Sequence, residues 1–265
     1  MIKRLIKNLV RLTGYELVLK KAGSGHPFTD QDQRDEAAAM IRLVREKNST
    51  MVGDEGLLTL YRQALFCEQS GIDGAFVECG VWKGGSVGIM AQVNLIHGTS
   101  RRHLHLFDSF EEICEPDETV DGKRALEGVS AYGGTKGRMV ALKGIYDYKG
   151  GPGTIDDNRR LLTGDIGYDA GHIHYHKGWF QDTLPDRYEN IGDIAILRID
   201  ADWYASTKVC LEYLYDHVVS GGFIIIDDYG AFDGCRKAVD EFFESRGMSP
   251  FLHYVNEEIR YLVKP

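Results

Sequence analysis

Short apolar segments that end in acidic or turn residues recur along this chain. Their lengths, their β-branched residues and the lack of strict apolar–polar alternation are typical of strands buried on both faces of a parallel sheet. Five segments have this pattern: Ala75–Cys79, His103–Asp108, His172–Lys177, Ile194–Asp200 and Gly222–Asp228.

The segments between these strands have a helical pattern. Four helices are predicted in this way: Val87–Ile96, Asp156–Leu162, Thr207–Val219 and Cys235–Ser245. Because strands and helices alternate, the chain is expected to form an open α/β sheet with right-handed crossovers. At the end of the chain, Pro250–Tyr254 and Arg260–Val263 predict a closing antiparallel hairpin.

Two regions interrupt the alternation. Residues 22–70 are predicted to be helical, so that an N-terminal helical lobe over residues 1–70 would precede a core over residues 71–265. Residues 109–153 are rich in Gly, Asp, Glu and Tyr and lack periodicity. A loop of this length inside a compact domain is usually functional. Its aromatic residues provide anchors, which favours an active-site lid over a disordered insertion.

The N-terminal segment Met1–Lys21 has an apolar helical face surrounded by Lys and Arg. Three interpretations stay open: the helix rests on an anionic membrane as a peripheral contact, packs on a partner subunit, or covers the domain's own core. Charges interrupt every turn, which does not fit a signal peptide. No segment approaches the ~20 apolar residues needed to cross a bilayer, so no transmembrane segment is expected.

Charge and cysteine content narrow the class of protein. The chain has 265 residues, and its 31 Lys and Arg against 40 Asp and Glu give a net charge of −9. This charge disfavours a nucleic-acid binder, which needs a basic face to neutralise phosphates. The five cysteines are an odd number without a CxxC pair. No disulfide framework is therefore predicted, and the cytoplasm, a reducing compartment, is the expected location.

The first predicted strand runs into the turn Glu78–Ser86, with the sequence ECGVWKGGS. Glycines at a strand-to-helix turn let a ligand approach the backbone, and the following helix offers free N–H groups. The turn lacks the GxGxxG pattern of a dinucleotide fold. The second strand ends in Asp108, and an acid there accepts hydrogen bonds from the ribose of a nucleoside cofactor; a helix-capping role for Asp108 is the alternative. Together, the turn and the acid predict a nucleoside-binding α/β fold.

The third predicted strand carries alternating histidines and ends beside aromatic residues. The histidines lie on one side of the strand and are interpreted as packing or substrate-lining residues: His172, His174 and His176. The residues after the strand suit a stacked and hydrogen-bonded adenine, with core packing as the alternative: Trp179, Phe180 and Gln181.

Acidic residues end the last two predicted parallel strands. Asp200 and Asp202 follow one strand, and Asp227 and Asp228 end the other. The carboxyl ends of parallel strands meet where open α/β folds bind ligands. Acids that converge there repel one another unless a cation lies among them. Oxygen ligands select a hard ion, so the pattern predicts a Mg²⁺ site; surface acids that cap the following helices are the alternative.

Five segments closely resemble the macrocin O-methyltransferase family in sequence and order: FVECGVWKGGS, HLFDSFE, KGWFQDTLP, LRIDADWYAST and GGFIIIDDYGAFDGCRKAVDEF. The resemblance extends roughly from Ser49 to Arg246. It implies a Rossmann-like class I methyltransferase fold, with a seven-stranded, mostly parallel sheet and helices on both faces. It also implies that the protein is a homo-oligomer and that S-adenosylmethionine (SAM) and Mg²⁺ serve the methylation of a sugar hydroxyl in a glycosylated natural product or glycan.

The resemblance further implies roles for particular residues. Asp200, Asp227 and Asp228 correspond to metal ligands, and Asp202 corresponds to the general base. The motifs and the resemblance together predict the cofactor-binding residues Met51, Glu78, Gly80, Trp82, Ser86, Asp108, Ser109, Trp179, Phe180 and Gln181. Three alternatives stay open: a catechol or other phenol as acceptor, a Mg²⁺-dependent phosphohydrolase, and a nucleoside-binding module without enzymatic activity.

Overall fold

In this computed structural model, which describes residues 30–265, seven strands form one sheet in the order β3–β2–β1–β4–β5–β7–β6. Strands β1 to β5 are parallel, and β7 is antiparallel to both β5 and β6. The predicted seven-stranded, mostly parallel sheet with a C-terminal hairpin is thereby confirmed. The strands are β1 (Ala75–Cys79), β2 (Leu104–Asp108), β3 (Ile173–Lys177), β4 (Ile194–Ile199), β5 (Val218–Ile226), β6 (His253–Tyr254) and β7 (Arg260–Val263).

Eight α-helices lie in the described residues, and the four predicted ones are α3, α5, α7 and α8. The helices are α1 (Asp30–Glu46), α2 (Asp54–Ser70), α3 (Gly85–His97), α4 (Gly122–Val129), α5 (Ile155–Arg159), α6 (Phe180–Arg187), α7 (Tyr204–Leu214) and α8 (Asp233–Ser245).

Several boundaries differ from the predicted ones: β5 begins at Val218 and not at Gly222, and α5 ends at Arg159 and not at Leu162. The helix predicted over Thr207–Val219 ends at Leu214, because Val218 already pairs with Ile194 as the first residue of β5. Helix α6 forms where the sequence pattern indicates only aromatic ligand contacts, and it contains Pro185. Helix propensity does not predict this helix, because a proline inside a helix is unfavourable.

Helices cover both faces of the sheet, as predicted. Successive strand residues point to opposite faces, so Phe76 of β1 belongs to one core cluster and Val77 to the other. The first cluster includes residues of α2 and α3, and the second includes residues of α6, α7 and α8. Burial from both sides explains why the central strands β1 and β4 consist mostly of apolar residues.

The predicted helix Met1–Lys21 lies outside the described residues. From Glu36 to Pro265 the chain forms one compact unit. Within it, Leu57 and Tyr61 of α2 are buried in the same cluster as the strand residues. Among the helices that the structure describes, none has the length and apolar character required to span a membrane.

All five cysteines lie in the described part of the chain. Each is buried and carries a free thiol. The prediction that no disulfide framework organises the fold is therefore confirmed.

The insertion after β2 has structure of its own. It contains α4 and two isolated antiparallel bridges, Cys114 with Ala141 and Asp117 with Lys136. A small apolar cluster joins Cys114 and α4 to Trp203, whose Nε1 donates a hydrogen bond to the Cys114 carbonyl at 2.9 Å. The insertion is therefore packed on the start of α7, beside the carboxyl ends of the strands. Its role as a lid stays a prediction.

Imidazole rings form a ladder across β2 and β3 at one edge of the sheet. The ring of His105 stacks on those of His174 and His176, with centroids 4.6 and 5.3 Å away. Nδ1 of His105 lies 3.0 Å from Nε2 of His176. Burial and the neighbouring imidazoles lower the pKa of His105 to about 3 and that of His176 to about 4. These contacts support the packing interpretation of the alternating histidines.

The ladder makes stability depend on pH. Because the pKa of His105 in the folded state lies below the ordinary value of about 6.5, the unfolded chain takes up the proton first as the pH falls. The free energy of unfolding should therefore decrease below about pH 6.5. Replacing His105→Phe keeps a ring in the stack and removes one such group. Between about pH 6 and 4.5, the pH dependence should become shallower by up to about 1.4 kcal/mol per pH unit. Urea unfolding at a series of pH values measures this slope, and equal slopes for the two proteins would contradict the expectation.

Candidate active site

The carboxyl ends of the central strands meet at a cleft that offers about 760 Å³ of space, part of it open to solvent. Strand β1 lies between β2 and β4, so the strand order reverses at this edge, where open α/β sheets bind ligands. The cleft is lined by Met51, Gly80, Trp82, Asp108, Ser109, Glu111, Ile113, Cys114, Tyr146, Gly178, Trp179, Phe180, Asp200, Ala201, Asp202, Trp203 and Ser206.

The turn after β1 is shaped by close backbone contacts. Gly80 has a φ of +87°, and a Cβ at this position would lie 1.7 Å from the carbonyl oxygen of Asp200. A side chain cannot be accommodated there, so Gly80 lets the ends of β1 and β4 touch. Gly84, with a φ of +83°, precedes α3 and faces Asn158 Oδ1 in the same way. These glycines are needed by the protein's own packing as well as by any ligand that approaches the turn.

Asp108 at the end of β2 holds the same turn from the other side. Its Oδ2 accepts hydrogen bonds from the N–H groups of Val81 and Trp82 at 2.6 and 3.0 Å. Its Oδ1 accepts one from Phe110 N–H at 2.6 Å. Burial raises the pKa of Asp108, and the three N–H donors lower it in part. The donors belong to turns, so the alternative role of Asp108 as a helix cap is not what the structure shows.

Three carboxylates converge beside this turn. Asp200, Asp202 and Asp228 each place an oxygen within 4.8 Å of the oxygens of the other two. Oδ2 of Asp228 accepts the N–H of Asp202 at 3.0 Å, and Asp202 has a φ of +55°, a strained value for a residue with a side chain. Burial and mutual repulsion raise the pKa of both Asp202 and Asp228. An all-oxygen group of this kind fits a hard cation, which would relieve the repulsion.

Asp227 lies outside this group, and its Oδ1 accepts a hydrogen bond from Arg198. The same guanidinium donates to Glu78 Oε1 at 2.5 Å and to Asp200 Oδ2 at 2.8 Å. Burial raises the pKa of Glu78 to about 8 and that of Asp227 to about 7, with Arg198 acting in the opposite direction. Arg198 thus holds both Asp227 and Asp200, and only Asp200 belongs to the converging group.

Aromatic side chains form another part of the cleft. Trp179 precedes the first residue of α6, Phe180, and both line the cleft together with Trp82. Among the described residues, Trp82 Nε1 and Gln181 Nε2 are buried donors without an acceptor. Such unsatisfied donors fit a site that receives a ligand with acceptor atoms.

The structure brings most of the predicted site residues to the cleft. Those that line it are Met51, Gly80, Trp82, Asp108, Ser109, Trp179, Phe180, Asp200 and Asp202. The other predicted site residues are not among the lining residues: Glu78, Ser86, Gln181, Asp227 and Asp228.

Sequence reasoning missed several residues of the site. Tyr146 of the insertion and Trp203 line the cleft, and burial together with Asp202 raises the pKa of Tyr146. Arg198 lies inside a recognised motif, but only the pairing of β4 with β1 and β5 brings it to the acids. Aromatic content in the insertion is the only sequence signal for Tyr146.

In sequence and in structure, the chain is similar to known O-methyltransferases. The family model described as macrocin-O-methyltransferase (TylF) matches residues 12–131 and 163–263. The 8-demethyl-8-(2,3-dimethoxy-alpha-L-rhamnosyl)-tetracenomycin-C 4'-O-methyltransferase of Streptomyces olivaceus is 35% identical over 206 residues, which cover 76% of this chain and 69% of that protein. Mycinamicin III 3''-O-methyltransferase of Micromonospora griseorubida is 29% identical over 256 residues, with coverage of 89% and 92%. The solved structure of the O-methyltransferase NovP has a TM-score of 0.70 at 25% identity and covers 88% of this chain and 99% of that one.

The contact between β1 and β4 predicts the effect of a single methyl group. Replacing Gly80→Ala would force a Cβ against the Asp200 carbonyl at a positive φ, so the folded state should lose at least about 1–3 kcal/mol. Gly128→Ala is the matched control, because a Cβ there meets nothing within 4 Å. Urea unfolding of the two variants measures the difference. A Gly80→Ala protein as stable as the control would contradict the assigned contact.

Proposed function

The chain belongs to the macrocin O-methyltransferase family, and we propose that it transfers a methyl group from SAM to a sugar hydroxyl, with Mg²⁺ as a second cofactor. The acceptor sugar belongs to a glycosylated natural product or a glycan. The observation that carries the proposal is the group of three converging carboxylates beside an aromatic cleft, at the switch point of the sheet. The rhamnosyl group in the name of the Streptomyces olivaceus relative supports a sugar as the acceptor.

The residues of the cleft fit SAM, which when bound supplies an electrophilic methyl group. The turn uses both lone pairs of Asp108 Oδ2 and one of Oδ1, so Oδ1 keeps one lone pair that would accept a ribose hydroxyl. Trp82, Trp179 and Phe180 offer aromatic faces for a base. The unsatisfied indole N–H of Trp82 would gain an acceptor. The proposed cofactor-binding set is completed by Met51, Glu78, Gly80, Ser86, Ser109 and Gln181.

The proposed metal ligands are Asp200, Asp227 and Asp228. Asp200 and Asp228 already belong to the converging group, and Asp227 keeps one oxygen that Arg198 does not occupy. Three carboxylates with oxygen ligands only suit Mg²⁺. A divalent ion held there would lower the pKa of a nearby acceptor hydroxyl.

Asp202 is the proposed general base. It lines the cleft and lies two positions beyond Asp200. Its backbone N–H donates a hydrogen bond to Asp228 Oδ2, which holds the backbone at this position. An alcohol is a weak nucleophile near neutral pH because so little of it is ionised, so a carboxylate oxygen that takes the proton accelerates transfer. The insertion packed on Trp203 would exclude water when it covers the cleft.

Assembly and location stay predictions. The family resemblance implies a homo-oligomer, and the five buried free thiols are compatible with the expected cytoplasmic location.

A panel of acceptors tests the proposed function. Purified protein is incubated with isotopically labelled SAM, Mg²⁺ and glycosides, nucleotide-sugars, glycans or catechols, and methylated products are identified by mass spectrometry. Transfer to a sugar hydroxyl is expected. Transfer to catechols alone would exclude the sugar, and phosphate release from phosphate esters without SAM binding would indicate the hydrolase. Activity that survives thorough chelation with EDTA would remove the metal from the mechanism.

The role of Asp108 predicts a loss of cofactor affinity. Asp108→Ala should weaken SAM binding by about 1.5–3 kcal/mol, the scale for hydrogen bonds to a charged group. Asp182→Ala, at an exposed acid in the first turn of α6, is the control and should bind SAM as the wild type does. Isothermal titration calorimetry measures both affinities. Unchanged affinity in the Asp108 variant would rule out the assignment.

The role of Asp202 predicts a loss in kcat. Asp202→Asn keeps the size of the side chain but cannot accept the proton, so kcat should fall by about 10²–10⁴ with little change in the Mg²⁺ requirement. Glu111→Gln, at another cleft carboxylate that pairs with Lys177, is the matched control and should retain most of the activity. A large rise in the Mg²⁺ requirement of the Asp202 variant would instead make Asp202 a metal ligand.

A further inference from the structure

Arg198 is the buried centre of an ion-pair network beneath the cleft. It is 2% exposed and lies on β4. Its Nη1 donates to Glu78 Oε1 at 2.5 Å and to Asp200 Oδ2 at 2.8 Å, and its Nη2 donates to Asp227 Oδ1. These acids come from β1 and from the ends of β4 and β5, so one side chain ties three neighbouring strands together.

The network occupies one carboxylate oxygen in each of two proposed metal ligands. Asp200 gives its Oδ2 to Arg198, and Asp227 gives its Oδ1. Asp228 is restricted similarly, because its Oδ2 accepts the N–H of Asp202. In each of the three carboxylates, therefore, these hydrogen bonds involve one oxygen and leave the other without a donor.

We propose that Arg198 is a positioning residue that sets the ion preference of this site. By holding one oxygen of Asp200 and one of Asp227, it makes both carboxylates single-oxygen ligands. Mg²⁺ demands near-ideal octahedral geometry, whereas Ca²⁺ accepts six to eight oxygens and often takes both oxygens of a carboxylate. The network thus favours Mg²⁺ over Ca²⁺. The inference rests on the proposed function, since it concerns the same metal ligands.

An arginine suits this role better than a lysine. The planar guanidinium presents donors in a fixed fork and remains charged when buried. Glu78 anchors the fork from below the cleft, where it is 1% exposed. A lysine has one compact ammonium, which cannot hold three separated carboxylates in the same geometry.

The test compares ion affinities of the full-length protein by isothermal titration calorimetry with MgCl₂ or CaCl₂ alone. Wild type should bind Mg²⁺ more tightly than Ca²⁺. Arg198→Lys should lose about 10–100-fold in Mg²⁺ affinity, the usual effect of changing a residue that orients a ligand. Its Ca²⁺ affinity should be retained or increased, so the Mg²⁺ to Ca²⁺ affinity ratio falls.

Arg102→Lys is the matched control. Arg102 is another nearly buried arginine, bonded to Glu68 at 2.6 Å and to the carbonyls of Ile72 and Gly74 at 2.7 and 2.6 Å. It lies near the amino end of β1, away from the acids, so its replacement should leave the affinity ratio at the wild-type value. A folded Arg198→Lys protein with the wild-type ratio would overturn the proposal.

A second variant covers the case in which a single change disturbs folding. The double replacement Glu78→Leu with Arg198→Met removes the guanidinium together with the most buried of its three acids, which is tolerated better than removing one partner alone. It leaves the more exposed Asp200 and Asp227 without this donor, and it too should lower the ratio. A wild type that binds Mg²⁺ without preference over Ca²⁺ overturns the inference alone. A wild type that binds neither ion overturns the metal site in the proposed function.

Discussion

The repulsion among carboxylates at one edge of the sheet is the constraint on which this site depends. Buried acids next to one another would take up protons or move apart unless positive charge compensates them. Arg198 forms ion pairs with Glu78, Asp200 and Asp227 from below, whereas no basic side chain in the described part of the chain pairs with Asp202 or Asp228. The side of the core thus has one guanidinium among three acids, and the side of the cleft has no positive side chain in these contacts. A site with this asymmetry is prepared for a cation that arrives from the cleft.

The backbone around the acids is as constrained as their side chains. The touching ends of β1 and β4 require Gly80. Among the described non-glycine residues, four have positive φ, and three of them surround the cleft: Trp82, Phe110 and Asp202. Strained backbone persists where the surrounding contacts over-determine it. Here the contacts are the hydrogen bonds that Asp108 and Asp228 accept from these same turns.

The sequence predicts the sheet and the position of the acids at its edge, because both depend on local patterns. The central parallel strands β1, β4 and β5 are rich in apolar residues, and the acids of the cluster lie within three residues after a strand whose end has a known place in the fold. The parts that escape prediction depend on contacts between distant segments. The insertion builds its small core around Trp203, and nothing in its own composition indicates that partner. The orientation of Asp227 follows from Arg198 on the neighbouring strand, so the sequence places Asp227 beside the acids without showing which group holds it.

The ladder of imidazoles has a consequence for how this sheet ends. A terminal strand exposes unpaired backbone groups that can recruit the strand of another molecule, and natural sheets protect such edges with short strands or polar and charged side chains. Strand β3 is one terminal strand, and it carries His174, His176 and Lys177. At the opposite end, β6 consists of two residues. Both margins of the described sheet are therefore poor templates for strand addition, which protects the protein against self-association through edge-to-edge aggregation.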